Sequence, residues 1–195
     1  MGGLTLASSL GVGLVCGLAL ACASIVIYSL RTGISPMPST PRARARILAT
    51  LSEDTAGPIY ELGFGWGNLA FALADRFPNA EVIGYELSPV PYLVSLLRQR
   101  LFPRQNLSFR REDFFSVPLE QASVIVCYLC PPLMRRLARK LEREAKPGTL
   151  VLSNTFSIPD WSATAVHPLH DLYDNRVYAY RTGGAQPQGR ELQTP

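Results

Sequence analysis

Three glycines, Gly63, Gly65 and Gly67, lie between an apolar segment and a helix-like segment, and they limit the possible folds more than any other feature of the chain. Residues 58–62 have the length and apolar character of a buried strand, and residues 68–76 carry apolar side chains at helical spacing. Glycine in such a turn lets the backbone approach a ligand that a Cβ atom would exclude. The segment therefore predicts a strand, a ligand-binding turn and a helix in succession.

The same alternation continues through most of the chain. Further strands are predicted at 81–85, 107–111, 123–128 and 149–155, and helices at 41–51, 90–101 and 131–145. One or two short strands are expected within 171–181. Alternating strands and helices, with central strands that are apolar throughout, predict an α/β fold with a mostly parallel sheet and helices on both faces.

Polar or glycine residues follow four of these predicted strands. They are Gly63, Glu86, Asp113 and Tyr128. In open parallel sheets the ligand lies beyond the carboxyl ends of the strands. Since these four residues all lie at such ends, we expect them to surround one site.

The N-terminal region has the character of a membrane span. Residues 4–30 include no charged residue, and about 20 apolar residues suffice to cross a bilayer. No Lys or Arg precedes the segment, and it is too long for the apolar core of a signal peptide. We therefore expect an uncleaved single-pass anchor over residues 1–31.

Arginines follow this apolar segment, at positions 31, 42, 44 and 46. By the positive-inside rule they predict that the C-terminal domain lies on the cytoplasmic side, or on the inner side of an organelle membrane. No aromatic residues are interleaved with these arginines, so a nucleic-acid partner is not expected.

Composition suggests four parts. We expect the anchor at 1–31, a Pro/Ser-rich linker at 32–41, one catalytic domain at 42–181 and a disordered Gly/Gln/Pro-rich tail at 182–195. Thr40 is suited to capping a helix that begins at Pro41.

The glycine spacing and Glu86 point to a nucleotide cofactor. An acidic residue about 20 residues after a glycine turn is placed to accept hydrogen bonds from ribose hydroxyls. The dinucleotide fingerprint G-x-G-x-x-G would require a glycine at position 68, where this chain has Asn68. The spacing therefore argues against a nicotinamide-dependent reductase. A glycine-rich turn of purely structural role is the simpler alternative for the loop alone.

A zinc site is a further alternative. Cys127 and Cys130 form a C-x-x-C pair, and His167 and His170 form an H-x-x-H pair, which are spacings that zinc ligands use. However, Cys127 lies within an apolar strand, and free cysteine is commonly a small buried hydrophobe. We therefore expect no metal.

The order of these motifs resembles a known family. Glu61 before the glycines resembles motif I of the class I S-adenosylmethionine-dependent methyltransferases. Together with Gly-Tyr-Glu-Leu-Ser-Pro at 84–89, Asp113-Phe114 and the segment 156–161, the chain is similar to the membrane-anchored lysine methyltransferases related to the ATP synthase c-subunit lysine methyltransferase and its bacterial relatives. The resemblance covers about residues 36–181.

The resemblance implies S-adenosylmethionine as cofactor. It implies that Glu86 binds both ribose hydroxyls, that Asp113 meets the adenine amino group and that Phe114 packs on the ring. The full set of expected cofactor-binding residues is Glu61, Gly63, Gly65, Gly67, Glu86, Leu87, Asp113 and Phe114.

The resemblance also implies that the methyl acceptor lies after the fourth strand, where Tyr128 is the candidate catalytic residue. Trp66 and Asn68 stand where the family usually has an acidic and a basic residue. The expected activity is methyl transfer to a lysine amine of a membrane protein. A catalytically degenerate cofactor-binding protein and a small-molecule or lipid methyltransferase are the alternatives.

Overall fold

The computed structural model describes residues 2–33 and 37–183, with side chains at all of these positions except 2–8 and 32. In the described residues the elements follow in the order α1 (Gly2–Thr32), α2 (Pro41–Thr50), β1 (Ile59–Leu62), α3 (Asn68–Arg76), β2 (Val82–Tyr85), α4 (Pro89–Leu101), β3 (Leu107–Arg110), β4 (Val124–Cys127), α5 (Pro131–Glu144), β5 (Leu150–Asn154), β6 (Ala165–Pro168) and β7 (Arg176–Arg181).

The strands form one seven-stranded sheet in the order β3-β2-β1-β4-β5-β7-β6. Strands β1 to β5 are parallel, and β7 runs antiparallel to both β5 and β6. Because β1 lies between β2 and β4, the sheet reverses its winding direction at the carboxyl end of β1, where ligands bind in such folds. The α/β fold with a mostly parallel sheet is confirmed.

Two hydrophobic clusters make up the core of the domain. One includes Ile59, Leu73 and Val126, and the other includes Leu62 and Leu137. Successive residues of the buried strand β1, such as Ile59 and Tyr60, contribute to different clusters, as the two-residue period of a strand requires. This burial on both sides explains why β4 is apolar throughout and why Glu61 of β1 is buried.

Helix α2 begins as the sequence predicts. The Thr40 hydroxyl oxygen accepts a hydrogen bond from the backbone N–H of Ala43 at 3.1 Å, and Pro41 occupies the first turn. This cap satisfies one of the amide groups that the first turn of a helix leaves without an intrahelical partner.

The last strands agree with one expectation and add one element. Strand β7 (Arg176–Arg181) is a short strand within 171–181, as expected, whereas β6 (Ala165–Pro168) lies before that segment and was not expected. It is a four-residue edge strand with no fully buried side chain, so its pattern is weak and its position depends on pairing with β7. In α4, Val94, Leu97 and Leu101 share one side, which is exposed, whereas Pro91 and Ser95 are buried.

Helix α1 includes a stretch, Ser9–Arg31, that is long and apolar enough to cross a membrane, and the most apolar part of it is not buried within the protein. α1 packs against α4.

At the other end of the domain, Thr182 is buried, and its backbone N–H donates to the Thr149 carbonyl at 3.1 Å. The remainder of the expected tail, 184–195, lies outside the described residues.

Candidate functional site

A cavity of about 400 Å³ opens at the carboxyl ends of the parallel strands. It is bordered by the turns that follow β1, β2, β3 and β4, and by the end of α1. Among the residues that line it are Glu61, Gly63, Gly65, Glu86, Leu87, Asp113, Phe114 and Tyr128. The structure thus brings all of the sequence-predicted site residues to one cavity, with the exception of Gly67.

The glycine turn has the backbone geometry that requires glycine. Gly63, Gly65 and Gly67 have φ values of 76°, 54° and 73°, in the left-handed region. The N–H groups of Gly63 and Phe64 both donate to the Tyr85 carbonyl, at 2.8 and 3.2 Å. These bonds hold the turn against the end of β2, so that it forms a wall of the cavity.

Gly67 has a structural position at the start of α3. A Cβ atom there would lie 2.9 Å from Ser95 Oγ and 3.1 Å from the ring of Phe109. Both contacts are shorter than real Cβ atoms normally show. Gly67 therefore permits α3 to pack closely on α4 and β3 rather than lining the cavity.

Glu86 ties the glycine turn to the end of β2. Its Oε2 accepts a hydrogen bond from the Gly65 N–H at 3.0 Å, and its Oε1 accepts one from the Ser88 N–H at 2.8 Å. The side chain is mostly buried and lines the cavity. A carboxylate oxygen has two lone pairs, so each oxygen retains an acceptor position for a ligand hydroxyl.

Glu61 is a buried acid with an unsatisfied oxygen. It lies on β1, is 5% exposed, and its Oε2 has no hydrogen-bond partner among the described residues. Desolvation, and then the neighbouring charge of Glu86, raise the pKa of Glu61 to about 8, against a lowering effect of the Ala70 N–H. A buried polar atom without a partner is rare in proteins and calls for an explanation. Since this acid lines the cavity, the site suits a ligand with a cationic group.

Asp113 and Phe114 follow β3 at another side of the cavity. Asp113 Oδ1 accepts a hydrogen bond from the Phe115 N–H at 2.9 Å, which shapes the turn. The Phe114 ring is buried, with its centroid 4.5 Å from that of Phe115. The Arg136 guanidinium lies 3.7 Å from the Phe115 ring centroid. A flat apolar ring beside a carboxylate is suited to a heteroaromatic ligand with an amino group.

The segment after β4 supplies an apolar and aromatic wall. The ring of Tyr128 stacks on that of Phe156, with centroids 6.3 Å apart and planes inclined by 21°. Cys130 and Leu133 line the cavity beside them. The sequence indicated Phe156 only as part of the segment 156–161. Its contact with Tyr128 could not be predicted, because no residue spacing relates a position after β5 to one after β4.

Residues after the apolar span also line the cavity, which the sequence did not indicate. They are Arg31, Gly33, Met37, Pro38 and Ser39. A linker carries no periodic pattern, so its path over the domain could not be derived from its composition.

Trp66 and Asn68 are held by an arginine that the sequence analysis missed. Arg98 Nη1 donates to the Trp66 carbonyl at 2.7 Å and to Asn68 Oδ1 at 2.8 Å. The Arg98 guanidinium lies 4.5 Å from the ring centroid of Phe71. Arg98 thus fastens the second half of the glycine turn to α4. This contact spans 30 residues or more of sequence, and no local signal reveals it.

The cysteine and histidine pairs do not meet as a metal site in the described part of the chain, where no group of three or more potential ligands occurs. Cys127 is buried, its sulfur lies 3.9 Å from that of Met134, and burial raises the pKa of its thiol to about 12. Such a thiol stays protonated and behaves as a small hydrophobe.

The chain is similar in sequence to known proteins. The model of a family described as the ANTKMT methyltransferase domain matches residues 61–165. A protein-lysine N-methyltransferase of Saccharolobus islandicus is 29% identical over 150 residues, which cover 76% of this chain and 92% of that protein.

Two mammalian proteins match as well. The ATP synthase c-subunit lysine N-methyltransferase of Rattus norvegicus is 30% identical over 158 residues, 79% of this chain and 69% of that protein. The adenine nucleotide translocase lysine N-methyltransferase of Mus musculus is 29% identical over 161 residues, 81% of this chain and 67% of that protein.

A solved structure supports the same fold. An RNA methyltransferase from Salinibacter ruber, in complex with S-adenosyl-L-homocysteine, superposes with a TM-score of 0.68 at 23% identity, covering 82% of this chain and all (100%) of that one. Since the matched region includes the glycine turn and the strand ends that surround the cavity, the chain belongs to the family of the ANTKMT methyltransferase domain and is an S-adenosylmethionine-dependent methyltransferase.

Proposed function

We propose that this enzyme methylates the side-chain amine of a lysine in a membrane protein. The observation that carries the proposal is that the end of the apolar helix α1 and the glycine turn border the same cavity, through Arg31 and Gly33 on one side and Gly63 and Gly65 on the other. The relatives from Saccharolobus, rat and mouse are all named as lysine N-methyltransferases, which supports the choice of acceptor.

The residues around the cavity fit S-adenosylmethionine. Glu61 would face the positively charged end of the molecule, because its buried oxygen has no partner among the described residues. Glu86 and Leu87 would hold the ribose, and Asp113 and Phe114 the adenine, while Gly63 and Gly65 leave room for close approach to the backbone. When bound, this cofactor supplies a methyl group on a sulfonium, which a neutral amine can attack.

The acceptor side of the cavity would be formed by Tyr128, Phe156 and Leu133. A lysine amine must lose its proton before it can act as a nucleophile. An apolar environment disfavours the charged ammonium and so lowers the pKa of the amine. The Tyr128 hydroxyl oxygen can accept a hydrogen bond from the amine and orient its lone pair. We therefore propose a positioning role at the reacting nitrogen for Tyr128, with exclusion of water by the aromatic pair.

Helix α1 would anchor the enzyme as a single span. The stretch Ser9–Arg31 has the required length and apolar character. Arg42, Arg44 and Arg46 follow it, so the methyltransferase domain would lie on the cytoplasmic side, or on the inner side of an organelle membrane. Tethering to the membrane of the substrate raises the effective concentration of the acceptor without any further contact.

The test is methylation of native membranes. Membranes from cells that lack the gene are incubated with the full-length enzyme in vesicles and with S-adenosylmethionine that carries an isotope-labelled methyl group. Mass spectrometry of both proteins and lipids should find the label on lysine of a membrane protein. Label in lipid or in a small molecule only would instead identify the alternative acceptor class. Binding of S-adenosylmethionine with no transfer to any fraction would indicate a catalytically degenerate protein.

A further inference from the structure

The outer side of α4 is apolar where a surface helix is normally polar. Val90, Leu93, Val94, Leu97 and Leu101 lie within an arc of about 100° on the helix, given 3.6 residues per turn. We call these five residues the α4 stripe. Leu93, Leu97 and Leu101 are 60%, 58% and 63% exposed. Since Pro91 and Ser95 face the domain instead, the stripe has no role in the core.

Arginines border the α4 stripe. Arg98 lies on one flank and the exposed Arg100 on the other, and α4 contains no acidic residue. Arg98 is engaged with the glycine turn, whereas Arg100 extends towards solvent. An apolar stripe flanked by basic residues, without acids, is typical of helices that lie in the interface of a lipid bilayer.

The α4 stripe is continuous with the proposed membrane span. α1 packs against α4, and its half-buried residues Ala21, Ser24, Ile25 and Tyr28 recur at helical spacing. Even with α1 in place, the three leucines of the stripe stay more than half exposed. The apolar surfaces of α1 and α4 therefore adjoin. A lipid layer that surrounds α1 can also cover the α4 stripe.

Arg111 connects the two helices near the cavity. Its Nη2 donates to the Tyr28 hydroxyl at 3.1 Å, and its Nε contacts the Leu87 carbonyl at 3.4 Å, directly before α4. Tyrosine and arginine are the residues that favour the boundary between lipid tails and headgroups. Tyr28 and Arg111 therefore lie at the same height along α1 as the start of α4 and the opening of the cavity.

We propose that the α4 stripe lies in the lipid interface beside α1, so that the cavity opens at the membrane surface. The proposal rests on the membrane attachment inferred above and adds a second contact with lipid. A single helix fixes only the distance of the domain from the membrane, whereas two contacts also fix its orientation. A lysine close to the membrane surface could then reach the cavity, while one far from the surface could not.

The test uses photocrosslinking of the full-length protein in vesicles. The photoreactive amino acid p-benzoylphenylalanine replaces Leu97 in one variant, Leu18 of α1 in a second and the exposed Arg139 of α5 in a third. We expect lipid adducts at positions 18 and 97 and none at 139. Mixing anionic lipid into zwitterionic vesicles should increase the adducts at 97, because Arg100 flanks the stripe and Arg111 contacts Tyr28 of α1.

Each other outcome has a separate meaning. Adducts at 18 without adducts at 97 would overturn the proposal and leave the anchor in place. Crosslinks between two protein copies at 97 would also overturn it, because the stripe would then be a self-association surface. Absence of adducts at both 18 and 97 would reject the membrane anchor, and with it the stripe. Equal adducts at 97 and 139 would reject a preferred orientation. The methylation experiment described above tests the lysine acceptor separately, so a failure of the α4 stripe and a failure of the proposed activity can be distinguished.

Discussion

The two glutamates of the cavity differ in their hydrogen bonds although they are neighbours. Glu86 accepts two backbone hydrogen bonds, whereas Glu61 is buried with one oxygen unsatisfied among the described residues. Burial of Glu61 disfavours its charged form unless an opposite charge lies beside it. The pair therefore places one acid ready to bind neutral hydroxyls and another that gains most from a cationic ligand.

Glu61→Gln should change how the stability of the unliganded enzyme depends on pH. The pKa of Glu61 is raised in the folded protein from 4.5 to about 8, so its contribution to stability is present below pH 4.5 and is lost as the pH rises to 8. Thermal unfolding at pH 5 and pH 9 should show that the parent enzyme loses free energy of unfolding on the order of 4 kcal/mol between these pH values, and that Glu61→Gln does not. Parallel pH profiles for the two proteins would contradict this.

Glu86→Ala should weaken the binding of S-adenosylhomocysteine. Hydrogen bonds to a charged group contribute about 1.5–3 kcal/mol, which corresponds to roughly tenfold to hundredfold in Kd. The substitution also frees the Gly65 N–H, so the turn loses a fastening. Calorimetry on the full-length enzyme measures the change. The exposed Glu112→Gln is the control, and equal affinity in all three proteins would exclude Glu86 from the site.

Tyr128→Phe should lower kcat and leave cofactor affinity unchanged. Phenylalanine retains the stacking on Phe156 but removes the hydroxyl that would orient the acceptor amine. Loss of one hydrogen bond formed at the reacting nitrogen corresponds to about tenfold in rate. Steady-state kinetics with the unmethylated form of the acceptor membrane protein as substrate gives kcat and KM separately. A rise in KM alone, with kcat intact, would argue against the role proposed for Tyr128.

At the scale of elements, the close packing of α3 on α4 and β3 requires Gly67. Its Cβ position is blocked by Ser95 and Phe109, and its φ is positive. Gly148 also has a positive φ, of 88°, but has nothing within 4 Å of its Cβ position. A side chain at Gly148 would therefore cause backbone strain alone, whereas a side chain at Gly67 would cause backbone strain and a steric clash.

Gly67→Ala should destabilise the protein more than Gly148→Ala. Both substitutions incur the strain of a left-handed alanine, about 1–3 kcal/mol, and only the first adds a steric conflict in a packed interior. Thermal unfolding of the two variants measures the difference. Equal losses in the free energy of unfolding would show that α3 and α4 move apart to accommodate the new methyl group at no energetic cost.

At the scale of the whole molecule, the cavity joins the turns after four strands, so a ligand that fills it should stabilise the entire domain. A ligand present at 100 times its Kd adds about 2.7 kcal/mol to the free energy of unfolding. For a chain of this size, each kcal/mol corresponds to about 2–4 °C in Tm. S-adenosylhomocysteine should therefore raise Tm by about 5–10 °C, whereas NADH should not. A shift with NADH of the same size would contradict the cofactor assignment.

The amino-acid sequence is enough to predict the elements of the central sheet and a nucleotide cofactor. Local patterns suffice for these, because β1, α3 and the glycine turn between them are each defined by neighbouring residues. The order of Glu61, Gly63 and Glu86 along alternating strands and helices likewise predicts where they meet, since the ends of adjacent parallel strands are neighbours in space.

Which surfaces face the domain and which face outward is known only once the elements are packed together. The exposure of the apolar side of α4 could not be predicted, because burial depends on what packs against a helix. The contacts of Arg98 with the glycine turn, of Phe156 with Tyr128 and of Arg31 with the cavity join residues that are distant in sequence. Such contacts follow from how whole elements pack, which no local pattern records.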